Sequence, residues 1–238
     1  MIGADVTLDL CQRGPVPGPA RGGEALSPSG NFKVSRMWGH NANSARNEQR
    51  LMLWVDAVGG YWVCLADAIV LGQPNADARV DVPILGDVSS RHARIRRDGE
   101  GYLIEAIHKT HVDGNLVPRI APLRNNSIIT LGDSVRLRFR RPHALSATAR
   151  LDFLSRHRTE PGADAVLLMA DSCVLGPKPS SHVVCRHWPH EVILYRHDDE
   201  LFCRSRAAFE VDGVACEGRA PIGRNSRITG EQFAVALE

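Results

Sequence analysis

The sequence predicts an all-β protein made of two tandem β-sandwich domains, on three observations. Apolar residues alternate with polar ones in runs of about five, as half-buried strands require. No segment keeps a helical 3.6-residue period over a useful length, and turn residues separate the runs. The second half of the chain also repeats the first.

Taken in order, residues 1–46 carry no periodic pattern. Pro15, Pro17, Pro19, Gly22, Gly23, Pro28 and Gly30 would interrupt any regular element, so a flexible tail is expected there. At 51–55 and 61–65, with a turn between them, the pattern is that of a β-hairpin. A short strand follows at 69–71, then a polar, proline-containing loop from Gln73 to Gly86. Strands are expected at 93–97 and 102–107 around the turn Asp98, Gly99, Glu100, Gly101. At 135–140 three arginines alternate with Val135, Leu137 and Phe139.

The repeat is visible residue by residue. Leu65 to Gly72 reads LADAIVLG and Met169 to Gly176 reads MADSCVLG. Val112, Asp113 and Gly114 recur as Val211, Asp212 and Gly213, an offset of 99 residues. Asn126, Ser127 and Thr130 recur as Asn225, Ser226 and Thr229 at the same offset. The expected organisation is a tail at 1–46, a domain at 47–142, a linker at 143–148 and a second domain at 149–238.

Composition narrows the function classes. Apolar residues make up 43% and the formal net charge is +2, so neither disorder nor an acidic partner is forced by bulk composition. Positive charge is almost all arginine, because Lys33, Lys109 and Lys178 are the only lysines. The six cysteines have no framework spacing. Residues 1–10 lack the basic flank and apolar core of a secretory leader. The longest apolar runs, such as 165–170, are far below the twenty or so residues that span a bilayer. A reduced cytoplasmic setting without membrane contact is therefore expected. No nucleophile elbow and no phosphate-cradling loop followed by lysine occurs, so no enzyme is expected and no cofactor is implied. Cys185, His187, His190 and Cys203 could be weighed as zinc ligands, but no Cys-x-x-Cys pair accompanies them, and no metal is expected. Nucleic-acid binding would rest on Arg94, Arg96, Arg97, Arg136, Arg138, Arg140 and Arg141; without interleaved aromatic platforms it is the weaker reading.

The chemistry concentrates between Val88 and Ile95, where Ser89, Ser90, Arg91 and His92 precede an alternating strand. Loops entering a rigid sheet are where side chains can be aimed at a ligand. With Gly72 and Gln73 upstream, Asp113 and Gly114 downstream, and LRNNSIITLG at 123–132, this constellation resembles the forkhead-associated (FHA) domain over roughly residues 48–142. The resemblance implies an FHA-like β-sandwich, a second and degenerate FHA-like copy, and a non-catalytic protein–protein interaction function. It also implies recognition of a phosphothreonine peptide. Carried over residue by residue, Ser89 takes the position of the phosphate-contacting serine and His92 that of a structural histidine. Gly72 precedes the position of the phosphate-binding arginine, which is Gln73 here. The second arginine of the motif is Ser90, with Arg91 one place later. The peptide-contacting asparagine falls either on His108 or on Asp113 beside Gly114.

A phosphothreonine offers a nearly dianionic phosphate that calls for an arginine, a hydroxyl and exposed backbone N–H groups. Gln73 brings no charge, and a hydrogen bond to a charged group is worth roughly 1.5–3 kcal/mol. The alternative expectation is therefore a degenerate scaffold that binds its partner without phosphate. Nothing in the residues sets the oligomeric state.

Overall fold

The structure is a computed structural model that describes residues 49–75, 80–99, 101–198 and 200–238. The tail expected at 1–46 lies outside the described residues. All regular structure in them is strand or turn, as the all-β expectation requires.

Two strands open the described chain, β1 (Arg50–Val55) and β2 (Gly59–Cys64). Nine follow: β3 (Ala68–Gly72), β4 (Val82–Leu85), β5 (Ala93–Asp98), β6 (Gly101–Ala106), β7 (Thr110–Val112), β8 (Asn115–Leu116), β9 (Ile120–Leu123), β10 (Ile128–Leu131) and β11 (Val135–Arg140). Next come β12 (Ala149–Phe153), β13 (Arg158–Thr159) and β14 (Ala165–Leu168). The last nine are β15 (Ser172–Gly176), β16 (Val183–Val184), β17 (Val192–His197), β18 (Glu200–Ser205), β19 (Phe209–Val211), β20 (Val214–Cys216), β21 (Arg219–Ile222), β22 (Arg227–Gly230) and β23 (Phe233–Leu237).

The two sets of nine pair alike. In the first, β3 pairs with β4 and β5, β6 with β5 and β9, and β10 with β7 and β11. In the second, β15 pairs with β16 and β17, β18 with β17 and β21, and β22 with β19 and β23. One device recurs at the two hairpin turns. Asp113 and Gly114 both have positive φ, as do Asp212 and Gly213, the geometry of a tight hairpin. Asp113 accepts from Ile128 N–H at 2.7 Å and Ser127 Oγ–H at 3.0 Å, and Asp212 accepts from Arg227 N–H and Ser226 Oγ–H at 2.7 and 2.9 Å.

The opening hairpins cross over. β1 pairs with β23, the last strand of the second set, in the register Leu53↔Leu237. β12 pairs with β11, the last strand of the first set, in the register Leu137↔Phe153. The hairpin that precedes each nine-strand set thus extends the sheet of the other set. β2 and β14 then join in parallel, Trp62 opposite Val166, which merges everything into one twelve-stranded sheet. A six-stranded sheet (β13-β4-β3-β5-β6-β9) and a five-stranded sheet (β16-β15-β17-β18-β21) complete the fold.

Side-chain parity shows why the seam holds. Strand neighbours point to opposite faces. Met52, Trp62, Cys64, Val166 and Leu168 enter one core with Ile69, Leu71, Ile95 and Phe139. Leu51, Leu53, Tyr61, Val63, Ala165 and Leu167 enter the other with Leu175, Val192, Ile228 and Val235. β2 and β14 are therefore buried on both faces, which accounts for their uninterrupted apolar sequences. Tyr102 reinforces the junction by donating to Ala147 O at 2.8 Å, and Arg196 reaches Leu65 O at 2.9 Å.

Residues 143–148 connect β11 to β12, so a cut there leaves residues 47–142 without β12 and β14. That fragment would lack Ala149, Leu151, Val166 and Leu168 from its core and expose the β11 edge. Deleting even one such buried aliphatic side chain typically costs about 2–5 kcal/mol. Residues 47–142 alone should show no cooperative thermal transition by circular dichroism, while the full chain does. A sharp melt of the fragment would contradict the crossed arrangement.

Candidate functional site

The loops singled out in the sequence meet at one end of the first sheet pair, and Gly72 sets how closely. A Cβ on Gly72 would lie 2.3 Å from Ser90 O and 2.7 Å from Ser89 O. Only a residue without a side chain lets the end of β3 pack against the backbone of these serines. Gln73 continues the approach, donating its N–H to Ser89 O at 3.1 Å while its side chain is exposed.

His92 ties this junction to two further loops. Its N–H donates to Leu71 O at 2.8 Å, and its own carbonyl accepts from Ile107 and His108 N–H at 3.2 and 2.9 Å. Ser89 N–H donates to Nδ1 at 3.1 Å, so Nδ1 is the unprotonated nitrogen and Nε2–H donates to Lys109 O at 2.8 Å. Gly132 N–H converges on the same Lys109 carbonyl at 2.9 Å. His92 thus connects β3 through its backbone, and the loop before β5, the β6–β7 loop and the β10–β11 turn through its ring, with Gly132 N–H 3.0 Å from Nε2. Burial lowers its pKa from the ordinary histidine value; the Lys109 carbonyl opposes the shift and the neighbouring His108 adds to it.

Around this clamp the polar groups are open. Ser89 and Ser90 are half-buried, Arg91 and His108 exposed. His108 stands beside the clamp with its ring 5.6 Å from that of His92. Arg91 makes no ion pair among the described residues. Asp113 and Gly114 lie elsewhere, at the far end of β7, with the Asp113 carboxylate committed to Ser127 and Ile128. The structure therefore brings together Gly72, Gln73, Ser89, Ser90, Arg91, His92 and His108. It leaves Asp113 and Gly114 outside the cluster, because the three residues of β7 separate the two ends.

The second set of strands has its own buried histidine. His182 is fully buried, and its Nδ1 accepts Val174 N–H at 2.9 Å. Asp81 does the corresponding work in the first set, accepting Val70 N–H at 2.8 Å. Burial, aided by the adjacent His143, pushes the His182 pKa down to about 4.

The other candidate ligands and cations are placed differently. Cys185 and Cys203 point into the second core, where burial pushes both thiols up to about 12, while His187 and His190 are exposed. Arg94 and Arg96 pair with Glu105, Arg97 with Asp67, and Arg140 with Asp152. Much of the positive charge weighed for nucleic acid is therefore neutralised locally. Among the described residues no helix is long and apolar enough to cross a membrane.

A family model described as FHA domain matches residues 69–132. Among solved structures, one titled "Rv0020c_FHA Structure" is 28% identical, covering 35% of this chain and 84% of its own, with a TM-score of 0.26. Another, the N-terminal FHA domain from EssC, a component of the bacterial Type VII secretion apparatus, is 9% identical. It covers 78% of this chain and 89% of its own, with a TM-score of 0.23. No curated protein matches the chain.

Because the folded forms of His92 and His182 resist protonation, the unfolded chain binds more protons as pH falls below about 6.5. Both residues contribute stability that is present above that value and is lost on acidification, for His182 down to about pH 4. Urea unfolding between pH 7.5 and 5 should show falling stability, approaching about 1.4 kcal/mol per pH unit from His182 alone. His182→Asn should flatten that slope, and an unchanged slope would refute the assignment.

Proposed function

From the FHA domain that this chain carries at residues 69–132, we propose that it binds a partner protein through a phosphothreonine, using the loops joined by His92. FHA domains are protein-interaction modules that recognise phosphorylated partners, and the chain is read as non-catalytic. The observation that carries the proposal is the junction at Gly72. It holds Ser89 and Arg91 on backbone fixed by the His92 hydrogen bonds, with the Ser89 hydroxyl and the Arg91 guanidinium uncommitted among the described residues. Donors held in place before binding lose less freedom when the ligand arrives.

The roles divide by chemistry. Arg91 supplies the positive charge, Ser89 the hydroxyl, and Gln73 a neutral amide where the family has arginine. His108, next to the clamp, faces the peptide beyond the phosphate. His92 positions the loops and stays out of ligand contact. The neutral Gln73 also supports a second reading, phosphate-independent docking on the same loops.

Fluorescence anisotropy with the full chain separates these readings. A phosphothreonine peptide should bind more tightly than its threonine counterpart, with Ser89→Ala and Arg91→Ala each erasing most of the difference. Gln73→Arg should strengthen phosphopeptide binding by about ten- to a hundredfold, the value of one hydrogen bond to a charged group. Equal affinity for both peptides, unmoved by Gln73→Arg, would remove the phosphate from the account.

A further inference from the structure

The second set of strands lacks the serine and histidine of the first, yet its corresponding loops enclose a basic groove. The segments after β15, before β17 and after β18 match, strand for strand, those that carry Gln73, His92 and His108. Between them lies a groove of about 340 Å³ lined by Lys178, His190, Glu191, Ile193, Arg204 and Arg206. Glu191 is its one carboxylate among the described residues, and that charge is met by Lys178 at 2.8 Å. The Lys178 hydrogen bond holds the Glu191 carboxyl below its ordinary range, so the pair stays ionised and neutral in sum. Arg204 and Arg206 are exposed and have no ion-pair partner among the described residues.

The groove is built on fixed backbone. A Cβ on Gly176 would lie 2.8 Å from Glu191 Cγ, so the end of β15 packs directly on the residue that anchors Lys178. Ser205, between the two arginines, is buried and accepts Ala207 N–H at 3.2 Å. Arg204 lies near the end of β18 and Arg206 in the bend just after it, so their Cα atoms are at most about 7 Å apart, and an extended peptide presents alternate side chains at about that spacing. Two arginines so placed match two separate carboxylates better than one phosphate. A guanidinium fork pairs bidentately with a planar carboxylate, as it also does with phosphate. Pro177, Pro189 and Ile193 add apolar wall, and the lining holds no Phe, Tyr or Trp, with the His190 imidazole its one ring on which a base could stack.

We propose that this groove is a second binding site, which takes an extended acidic peptide segment of a partner protein with its carboxylates on Arg204 and Arg206. The site is independent of Ser89 and Arg91 and needs no phosphate.

The test is anisotropy with the full chain and a fluorescein-labelled peptide carrying a run of glutamates, against its glutamine counterpart, a phosphothreonine peptide and a DNA oligonucleotide. The glutamate peptide should bind and the glutamine peptide should not. Arg204→Ala with Arg206→Ala should weaken binding on the order of fivefold, as two solvent-exposed ion pairs allow. Glu191→Gln, which removes the one opposing charge and frees Lys178, should strengthen it, and Arg91→Ala should leave it unchanged. An unchanged affinity in the double variant would overturn the site. So would a Glu191→Gln variant that binds no better, an outcome that stands even if the double variant fails to fold. DNA bound as tightly and lost with the same arginines would make the groove a general anion surface, and a preference for the phosphothreonine peptide through Arg204 and Arg206 would make it a phosphate site. Either result contradicts the proposal.

Discussion

The parallel pairing of β2 with β14 is the constraint on which the rest of the structure depends. Each strand belongs to a hairpin that extends the sheet of the other strand set, and each is buried on both faces. A strand with two buried faces cannot leave one core without opening the other. Apolar burial at roughly 25 cal/mol per Å² therefore acts across the seam. The side chains of the opening hairpin, Leu51, Leu53, Val55, Tyr61 and Val63 with Val58 and Leu65 packed beside them, support a core otherwise built from residues beyond position 160. Ala149 and Leu151 support the core that holds up the Gly72 and His92 loops.

This arrangement leaves the closing of the cores mainly to strands and not to the loops at the sheet ends. The cores are closed by strands, and the loop ends are fixed by single hydrogen-bonding groups: His92 and Asp81 in the first set, His182 in the second. Side chains between those fixed points are then available for ligands. Ser89 and Arg91 stand in the loop before β5, and in the second set Arg204 stands near the end of β18 and Arg206 in the bend after it. The charges on the sheet faces, by contrast, are largely spent on Glu105, Asp67 and Asp152.

Much of this was legible in the residues. Alternation located β1, β2, β3, β5, β6 and β11 to within a residue or two, and the repeat of Asp113 and Asp212 located two alike hairpin turns. The Ser89 to His92 loop was legible because its polar residues precede an alternating strand and stand in order with Gly72 and the later turns. The crossing of the hairpins was not, since period-two alternation says which face is buried and nothing about which neighbour buries it. One signal did point to it: the unbroken apolar runs at 61–65 and 165–170 lack the alternation of a one-sided strand. Asp113 and His108 were alternatives for one position of the family's turn, and the sequence could not show that the Asp113 carboxylate is held by Ser127 and Ile128. The groove at Arg204 and Arg206 was hidden because its residues come from three distant segments.

Hydrogen exchange on paired core variants tests the crossed architecture most directly. Leu53→Ala, near the start of the described chain, should accelerate amide exchange first in the strands between 192 and 237. Leu151→Ala should do so first between 69 and 139. The reverse pattern, with Leu53→Ala loosening 69–139 and Leu151→Ala loosening 192–237, would show that each hairpin serves its own strand set and would contradict the account.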